Sequence, residues 1–177
     1  MPSAFRHQTL RNQKQSLKNK RLKMIKPTTK NEVSNCFRRI VILTNYRERC
    51  EAELYDRLVN KEKFSKDVYL KAIKKAKNYD IVNDERYAEL YAFSKSHACR
   101  GTDGIIRHFS QMKIDYESIP SVVEILTEAK EHELQVAIDY LKRHPSRSKN
   151  VYASHVRKLT NRGFSTSLAI RAANYLL

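Results

Sequence analysis

The sequence predicts an all-α protein made of tandem three-helix repeats. Its 177 residues include three Gly, four Pro and no Trp, and they are rich in residues that favour helices. A β fold would need more β-branched residues and more frequent turns. Similar stretches recur fifty residues apart around Phe64, Ile114 and Phe164. A constant period of this length is typical of stacked units that share a core, so we expect an elongated, curved helical array.

The apolar positions behind the three turns keep the same offset within each repeat. They are Ile73, Val123 and Ala173, followed by Ala76, Leu126 and Leu176. Each unit is too short to bury its own apolar face. The units are expected at about 46–97, 98–145 and 146–177, within a helical repeat domain that spans residues 32–177.

Residues 1–31 are predicted to form a disordered basic arm, because they contain too few apolar residues to offset the loss of chain entropy. They carry nine basic residues and no acidic residue. Such an arm either contacts nucleic acid or serves as a solvated tail. The whole chain has a formal net charge of +16, which favours a polyanionic or acidic partner.

The cysteines and the hydropathy pattern indicate a cytoplasmic protein. Cys36, Cys50 and Cys99 form no C-x-x-C pair, so neither a disulfide framework nor a zinc knuckle is expected. The longest apolar run is Ile40 to Leu43, which is far short of the roughly 20 residues that cross a bilayer. No apolar signal region follows the basic N-terminus, although a transit peptide remains an alternative.

A helix over residues 33–45 is predicted to precede the first unit, and its apolar face is formed by Val33, Phe37, Ile40, Val41 and Thr44. In the first unit, a helix bearing Leu54 and Leu58 is followed by a turn at 61–63. Ser65 is the predicted N-cap of the second helix, which carries Val68, Ala72, Ile73 and Ala76. Asn83 or Asp84 is predicted to cap the third helix.

The second unit is predicted to follow the same plan. Thr102 is the expected cap of its first helix and Asp115 of its second, while Pro120 lies early enough in a helix to be tolerated. The third helix should end before Pro145. The third unit comprises a helix over 151–159, a turn at 161–163 and a last helix capped by Ser165.

Catalytic and metal-binding patterns are weak. His97 and Cys99 have no second pair of ligands at a suitable spacing, and His132–Glu133 lacks the second histidine of a zinc protease. Arg47 and Arg49 near Cys50 suggest a lowered thiol pKa, but the sequence indicates no catalytic partner. We therefore expect no enzyme activity, no cofactor and no metal. The helical spacing of Tyr55, Tyr69, Tyr87 and Tyr91 favours core packing over base stacking.

Basic residues are concentrated around the third unit. Residues 142–162 contain seven basic residues and no acid, which favours a binding surface over a merely solvated face. Together with two residues of the second unit, the candidate partner-binding residues are Arg100, Arg107, Lys142, Arg143, Arg147, Lys149, Arg157, Lys158 and Arg162.

Several strings of the sequence match one known family. YDIVNDERYAELY (79–91) and LTNRGFSTSLAIRAA (159–173) resemble the start of a helix and the closing stretch, respectively, of the RecX family of regulatory proteins. RCEAELYDRL (49–58) resembles the opening of the first unit, and Arg100–Gly101 with Ile105 and Phe109 resembles the opening of the middle unit. The structural residues of these motifs are Asp84, Ala88, Gly101, Gly163 and Phe164. The resemblance covers about residues 33–177 in order.

The resemblance implies a regulatory protein, acting as a monomer, that binds the RecA recombinase and its filament on single-stranded DNA. Such a protein would inhibit strand exchange, ATP hydrolysis and coprotease activity. Direct nucleic-acid binding without RecA is the alternative, and weak DNA contact is compatible with both.

The sequence departs from the family pattern at three positions. Cys50 replaces a capping serine, whose loss costs about 1 kcal/mol unless a neighbour such as Asn45 or Glu48 substitutes. Lys63 and Lys113 replace turn glycines. If these turns need a left-handed residue, each lysine costs roughly 1–2 kcal/mol. The first unit also has one extra residue between Leu58 and Phe64, which predicts a different turn there.

Overall fold

The structure, a computed structural model, describes residues 32–176 and is all-helical over that range. The predicted arm at 1–31 lies outside the described residues. Within 32–176 there are nine α-helices: α1 (Glu32–Tyr46), α2 (Glu51–Tyr55), α3 (Lys66–Asn78), α4 (Asp84–His97), α5 (Thr102–Met112), α6 (Pro120–Glu131), α7 (Glu133–Arg143), α8 (Val151–Asn161) and α9 (Thr166–Asn174). None of these helices combines the length and the hydrophobicity that a bilayer crossing needs.

The described chain divides into two compact units, the first ending at Tyr87 and the second beginning at Ala88. In the first unit α1 packs against α3. The predicted bounds of α1 agree with the structure within one residue, and its predicted apolar face is buried except for Val33, which is half-buried. The core of the first unit contains Phe37, Ile40, Val41, Leu54, Leu58, Tyr69, Ala72, Ile73 and Ala76.

Two of the predicted caps in the first unit are confirmed. The Ser65 hydroxyl accepts a hydrogen bond from the Val68 backbone N–H at 3.3 Å and begins α3. The Asn83 side-chain oxygen accepts one from the Arg86 backbone N–H at 3.0 Å and begins α4. Both side chains satisfy amides that a helix start otherwise leaves without an intrahelical partner.

The extra residue between Leu58 and Phe64 is accommodated by a π-helical segment, Asp56–Lys61, that continues α2. A π-helix holds one more residue per hydrogen-bonded turn than an α-helix. After it, the Phe64 N–H donates to the Leu58 carbonyl at 3.0 Å, six residues back. In the corresponding turn of the second unit the Ile114 N–H donates to the Phe109 carbonyl, five residues back. The predicted difference in this turn is confirmed.

The second unit contains the end of α4 and α5–α9. Its buried side chains include Ile105, Phe109, Ile114, Val122 and Leu126. The helices α7, α8 and α9 contribute a further cluster: Ala137, Ile138, Leu141, Leu159, Phe164, Ala169 and Ala172. Ser165 caps α9 by accepting from the Leu168 N–H at 3.2 Å, as predicted.

Two caps predicted for the second unit are wrong, and one apolar position of the fifty-residue period is exposed. The N-cap of α5 is Gly101, and Thr102 is already the first helical residue. Asp115 makes no side-chain cap, because a 3₁₀ turn (Tyr116–Ser118) intervenes and α6 begins at Pro120. Val123 is 39% exposed, because the buried face of α6 is formed by Val122, Ile125 and Leu126.

The turns around the three fifty-residue positions share one backbone feature. Lys63, Lys113 and Gly163 have φ values of 64°, 58° and 90°, the left-handed region that favours glycine. Lys63 and Lys113 therefore adopt the left-handed conformation, which was expected to be costly for a lysine.

Candidate functional site

All nine candidate basic residues lie in the second unit, but they differ in how far their charges are engaged. Seven side chains are exposed: Arg100, Arg107, Lys142, Arg143, Arg147, Lys149 and Arg157. Lys158 and Arg162 are half-buried. These nine residues are called the basic surface below.

Arg162 is fixed inside the second unit. Its guanidinium donates to the carbonyl of Ala98 at 2.7 Å and to that of Cys99 at 3.1 Å. It also lies 4.3 Å from the centroid of the Tyr140 ring, a cation–π geometry. Arg162 therefore connects the turn after α8 to the chain that leads into α5, and it has little capacity left for a partner.

The backbone around Arg162 explains why glycine occupies this junction. The Gly101 N–H donates to the Arg162 carbonyl at 3.1 Å, and the Gly104 N–H donates to the Gly163 carbonyl at 2.8 Å. A Cβ on Gly101 would lie 2.3 Å from the Phe164 backbone nitrogen, and a Cβ on Gly163 would lie 2.5 Å from the Gly104 Cα. The two segments approach too closely for a side chain.

Lys158 and Arg143 also make internal contacts. The Lys158 amine donates to the carbonyls of His144 and Pro145 at 2.8 and 3.0 Å and so fastens the loop between α7 and α8. Arg143 donates to the Asp139 carbonyl at 3.2 Å and to the Cys99 sulfur at 3.3 Å. Both residues support the surface as well as adding charge to it.

The remaining exposed members carry the available positive charge. Within residues 32–176, five of them make no side-chain hydrogen bond or ion pair with another described residue: Arg100, Arg107, Arg147, Lys149 and Arg157. No acidic residue occurs after Asp139 in the sequence. The positive potential around Arg147, Lys149 and Arg157 is therefore not offset by a carboxylate in the same segment, which suits a polyanionic partner.

Exposed tyrosines accompany the basic surface, and the sequence reasoning missed them. Tyr152 is 36% exposed and Tyr175 is 70% exposed, and the Lys142 amine lies 6.0 Å from the centroid of the Tyr175 ring. The spacing in the sequence does not reveal Tyr152 as exposed, because it stands three and seven residues before the buried His155 and Leu159, on the same side of α8. The tyrosines selected from the sequence are instead buried or half-buried.

The motif around Asp84 has a structural role in the first unit. The Asp84 carboxylate accepts a hydrogen bond from the Glu51 N–H at 2.9 Å. Arg86 donates to the Asp80 carboxylate at 2.8 Å, and the Tyr87 hydroxyl donates to Glu53 at 3.3 Å. The next residue, Ala88, is fully buried in the second unit. The motif organises the ends of helices.

Burial or internal contacts engage several cysteine and histidine side chains of the described chain. Burial raises the pKa of the Cys50 thiol to about 11, so the expected lowering by Arg47 and Arg49 is wrong. His97 shares a hydrogen bond with the Phe93 carbonyl at 2.8 Å. Within the described part of the chain, no three His, Cys, Asp or Glu side chains lie close enough to hold a metal ion.

Comparison with protein-family models and with curated proteins found no match for this chain.

Proposed function

We propose that this chain is a RecX-like regulatory protein that binds RecA and its filament on single-stranded DNA. It would inhibit strand exchange, ATP hydrolysis and coprotease activity. The proposal rests first on the four sequence strings that resemble the family in the right order, and then on contacts that recur along the chain.

The observation that carries the proposal is a pair of equivalent helix caps. The Asp84 carboxylate in the first turn of α4 accepts from the first amide of α2, that of Glu51. The Glu133 carboxylate at the start of α7 accepts from the first amide of α5, that of Thr102, at 2.6 Å. The two sets of three helices are α2, α3 and α4, and α5, α6 and α7. In each set, a carboxylate in the first turn of the third helix caps the start of the first helix. This recurrence supports tandem three-helix repeats, as does the left-handed residue in each turn.

The basic surface supports the choice of partner. A nucleoprotein filament presents phosphates and acidic side chains, and an array of repeats can contact successive protomers so that modest contacts add through effective concentration. The five unengaged basic side chains are the proposed contact residues. Arg162 and Lys158 are proposed to hold this surface in shape.

The decisive measurement is a titration of the DNA-stimulated ATPase of RecA with the full chain. We expect inhibition at protein concentrations well below that of RecA. Absence of inhibition at equimolar protein would contradict the proposal. The five unengaged basic side chains are the proposed contact residues. The variant Arg147→Glu/Arg157→Glu should therefore weaken inhibition at least tenfold while preserving helicity.

The matched control is Arg38→Glu/Lys130→Glu, which makes the same change in net charge at exposed residues outside the basic surface. We expect inhibition by this control to stay close to that of the unmodified chain. Equal losses in the two variants would show that net charge, and not the basic surface, is responsible.

A second candidate function is direct binding of nucleic acid without RecA, and the exposed Tyr152 and Tyr175 favour it. Aromatic side chains beside basic residues stack on unpaired bases. In that case binding to naked DNA would be tight, and its affinity would fall steeply with salt, while the RecA ATPase would be unaffected.

A further inference from the structure

The outward face of α3, in the first unit, carries a row of lysines that the basic surface does not include. Residues 61–77 contain seven lysines and two acids. Lys66, Lys71 and Lys74 are exposed and fall within an arc of about 140° on a helix with 3.6 residues per turn. They lie opposite the buried side of α3, which contains Tyr69, Ala72, Ile73 and Ala76. Lys63 is exposed in the turn that leads into the helix.

Three acids that precede α3 in the sequence are already engaged. Glu62 receives hydrogen bonds from Arg39 and Arg57, each with a shortest distance of 2.9 Å. Asp56 pairs with Lys61 at 2.8 Å, and Glu51 pairs with Lys77. The carboxylates of Glu62, Asp56 and Glu51 are thus paired with basic residues other than the outward lysines.

The outward lysines themselves have no internal partner. Within residues 32–176, none of Lys63, Lys66, Lys71 and Lys74 makes a side-chain hydrogen bond or ion pair with another described residue. Asp67 is the one acid of residues 61–77 that has no such partner either. The α3 face therefore has a net positive charge that the fold does not use.

Lys63 adds an independent argument. Its φ of 64° is in the left-handed region, where a lysine costs free energy that a glycine would not. The equivalent Gly163 has no room for a side chain, whereas the Lys63 side chain is exposed. A residue that weakens the fold locally and makes no internal contact is consistent with a role for its charge in binding.

Leu70 lies between the lysines on the same face and is 46% exposed. An apolar side chain among ammonium groups suits a ligand that offers both phosphates and apolar surface. Single-stranded nucleic acid does so, because its bases are not hidden in a duplex. A purely acidic peptide would leave Leu70 without a favourable contact.

We infer that the lysine face of α3, formed by Lys63, Lys66, Lys71 and Lys74 with Leu70, binds the backbone of single-stranded nucleic acid directly. This goes beyond the proposed function, because it assigns a second contact surface to the first unit and does not require RecA. The lysines contact phosphates, and Leu70 contacts the face of an unpaired base or sugar.

The test uses the full chain and a fluorescein-labelled oligothymidylate, with binding followed by fluorescence anisotropy over a range of salt concentrations. The variant Lys66→Gln/Lys71→Gln/Lys74→Gln removes three charges with little change in helix propensity. The plot of log affinity against log salt has a negative slope, and each lost phosphate contact makes it shallower by about 0.7 for a single strand. The magnitude of the slope should therefore decrease by about 2 in this variant.

The matched control is Lys61→Gln/Lys75→Gln/Lys77→Gln. It removes the same number of lysines from the same stretch, but these three contact Asp56, the Phe37 ring and Glu51. We expect its salt slope to change by less than half as much. An equal change in both variants, or no change in the first, would overturn the inference.

Two further measurements define the ligand and the role of Lys63. Polyglutamate or duplex DNA bound as tightly as the oligothymidylate, with the same dependence on the three lysines, would contradict a single-stranded nucleic-acid site. Lys63→Gly should raise the melting temperature and weaken oligonucleotide binding at once. Unchanged affinity in that variant would remove Lys63 from the surface. RecA is absent throughout, so these results are independent of the ATPase titration.

Discussion

The Asp84 carboxylate accepts a hydrogen bond from the Glu51 backbone N–H at 2.9 Å, so a residue 33 positions later in the chain caps the start of α2. Cys50 occupies the N-cap position and makes no side-chain cap there. The cap that the sequence seemed to lack is therefore supplied by a distant side chain instead of by Asn45 or Glu48. This contact links the ends of two helices within the first unit.

Replacing Asp84 should reveal the strength of this cap. We expect Asp84→Ala to lower the free energy of unfolding by about 1–2 kcal/mol, measured by urea denaturation with circular dichroism. Asp84→Asn should keep most of the stability, because its side-chain oxygen still accepts the amide hydrogen. Equal stability of all three chains would show that the contact contributes nothing.

Glu133 should be the more sensitive position. Its carboxylate is 6% exposed and accepts from both the backbone N–H and the hydroxyl of Thr102, at 2.6 and 2.9 Å. Removing it leaves two buried donors without an acceptor, so Glu133→Ala should cost about 2–3 kcal/mol. The exposed Glu131 is the control, and Glu131→Ala should change stability by no more than about 0.5 kcal/mol.

Substitutions at the left-handed positions of two turns, Lys113 and Gly163, should change the stability in opposite directions. Lys113→Gly should raise the free energy of unfolding by about 1 kcal/mol, because glycine adopts a φ of 58° at little cost. Gly163→Ala should lower it by at least about 2 kcal/mol, since both the backbone angle and the approach of Gly104 oppose a Cβ. A melting temperature that falls in Lys113→Gly would contradict this assignment of strain.

Arg162 is expected to behave as a structural residue. Arg162→Ala removes two hydrogen bonds to carbonyls and the contact with the Tyr140 ring, so it should cost about 2 kcal/mol. Arg162→Lys should restore little of this, because an ammonium group lacks the planar fork of donors. Arg157→Ala should leave the melting temperature nearly unchanged. If Arg162→Ala is as stable as the unmodified chain, the guanidinium of Arg162 does not make these internal contacts in solution.

His155 should make the stability depend on pH. Burial, with a smaller contribution from Lys158, holds the pKa of this imidazole below its ordinary value. Its ring nitrogens have no hydrogen-bond partner among the described residues. Because the unfolded chain takes up the proton at a higher pH than the folded one, stability should fall as the pH drops from about 7 towards 5.

The variant His155→Leu isolates this contribution. It removes a buried polar group and should raise the free energy of unfolding by about 1 kcal/mol at pH 7, and by more at pH 5. Melting curves across this range provide the measurement. A wild-type chain and a variant with parallel pH profiles would show that His155 does not titrate in this way.

Local signals in the sequence were sufficient to predict most of the helices. The apolar spacing in α1 and the caps at Ser65, Asn83 and Ser165 lie within a few residues of the elements they specify. Thr102 illustrates where such reasoning ends. Its hydroxyl resembles a cap in the sequence, but its partner is Glu133, 31 residues away, and a single sequence does not indicate that contact.

The basic surface was predicted as a set of charges, and its internal organisation was not. Lys158 and Arg162 look like Arg157 in the sequence, because all are basic residues in one acid-free stretch. Their different roles depend on carbonyls at Ala98 and His144 that only the folded chain brings near. The α3 lysines were missed because the sequence does not show which basic residues pair with the nearby acids. In the structure Glu62 pairs with Arg39 and Arg57, so its carboxylate does not neutralise the α3 lysines.

The π-helical segment at Asp56–Lys61 shows that the first unit tolerates an insertion in this turn. The additional residue is taken up inside one wide helical turn, so Leu54 and Leu58 still face the core and Ser65 still begins α3. Deleting the exposed Asn60 should therefore convert this segment to ordinary α-helix and leave the positions of α2 and α3 unchanged. In evolutionary terms, a chain can lengthen or shorten here by one residue without a compensating change elsewhere.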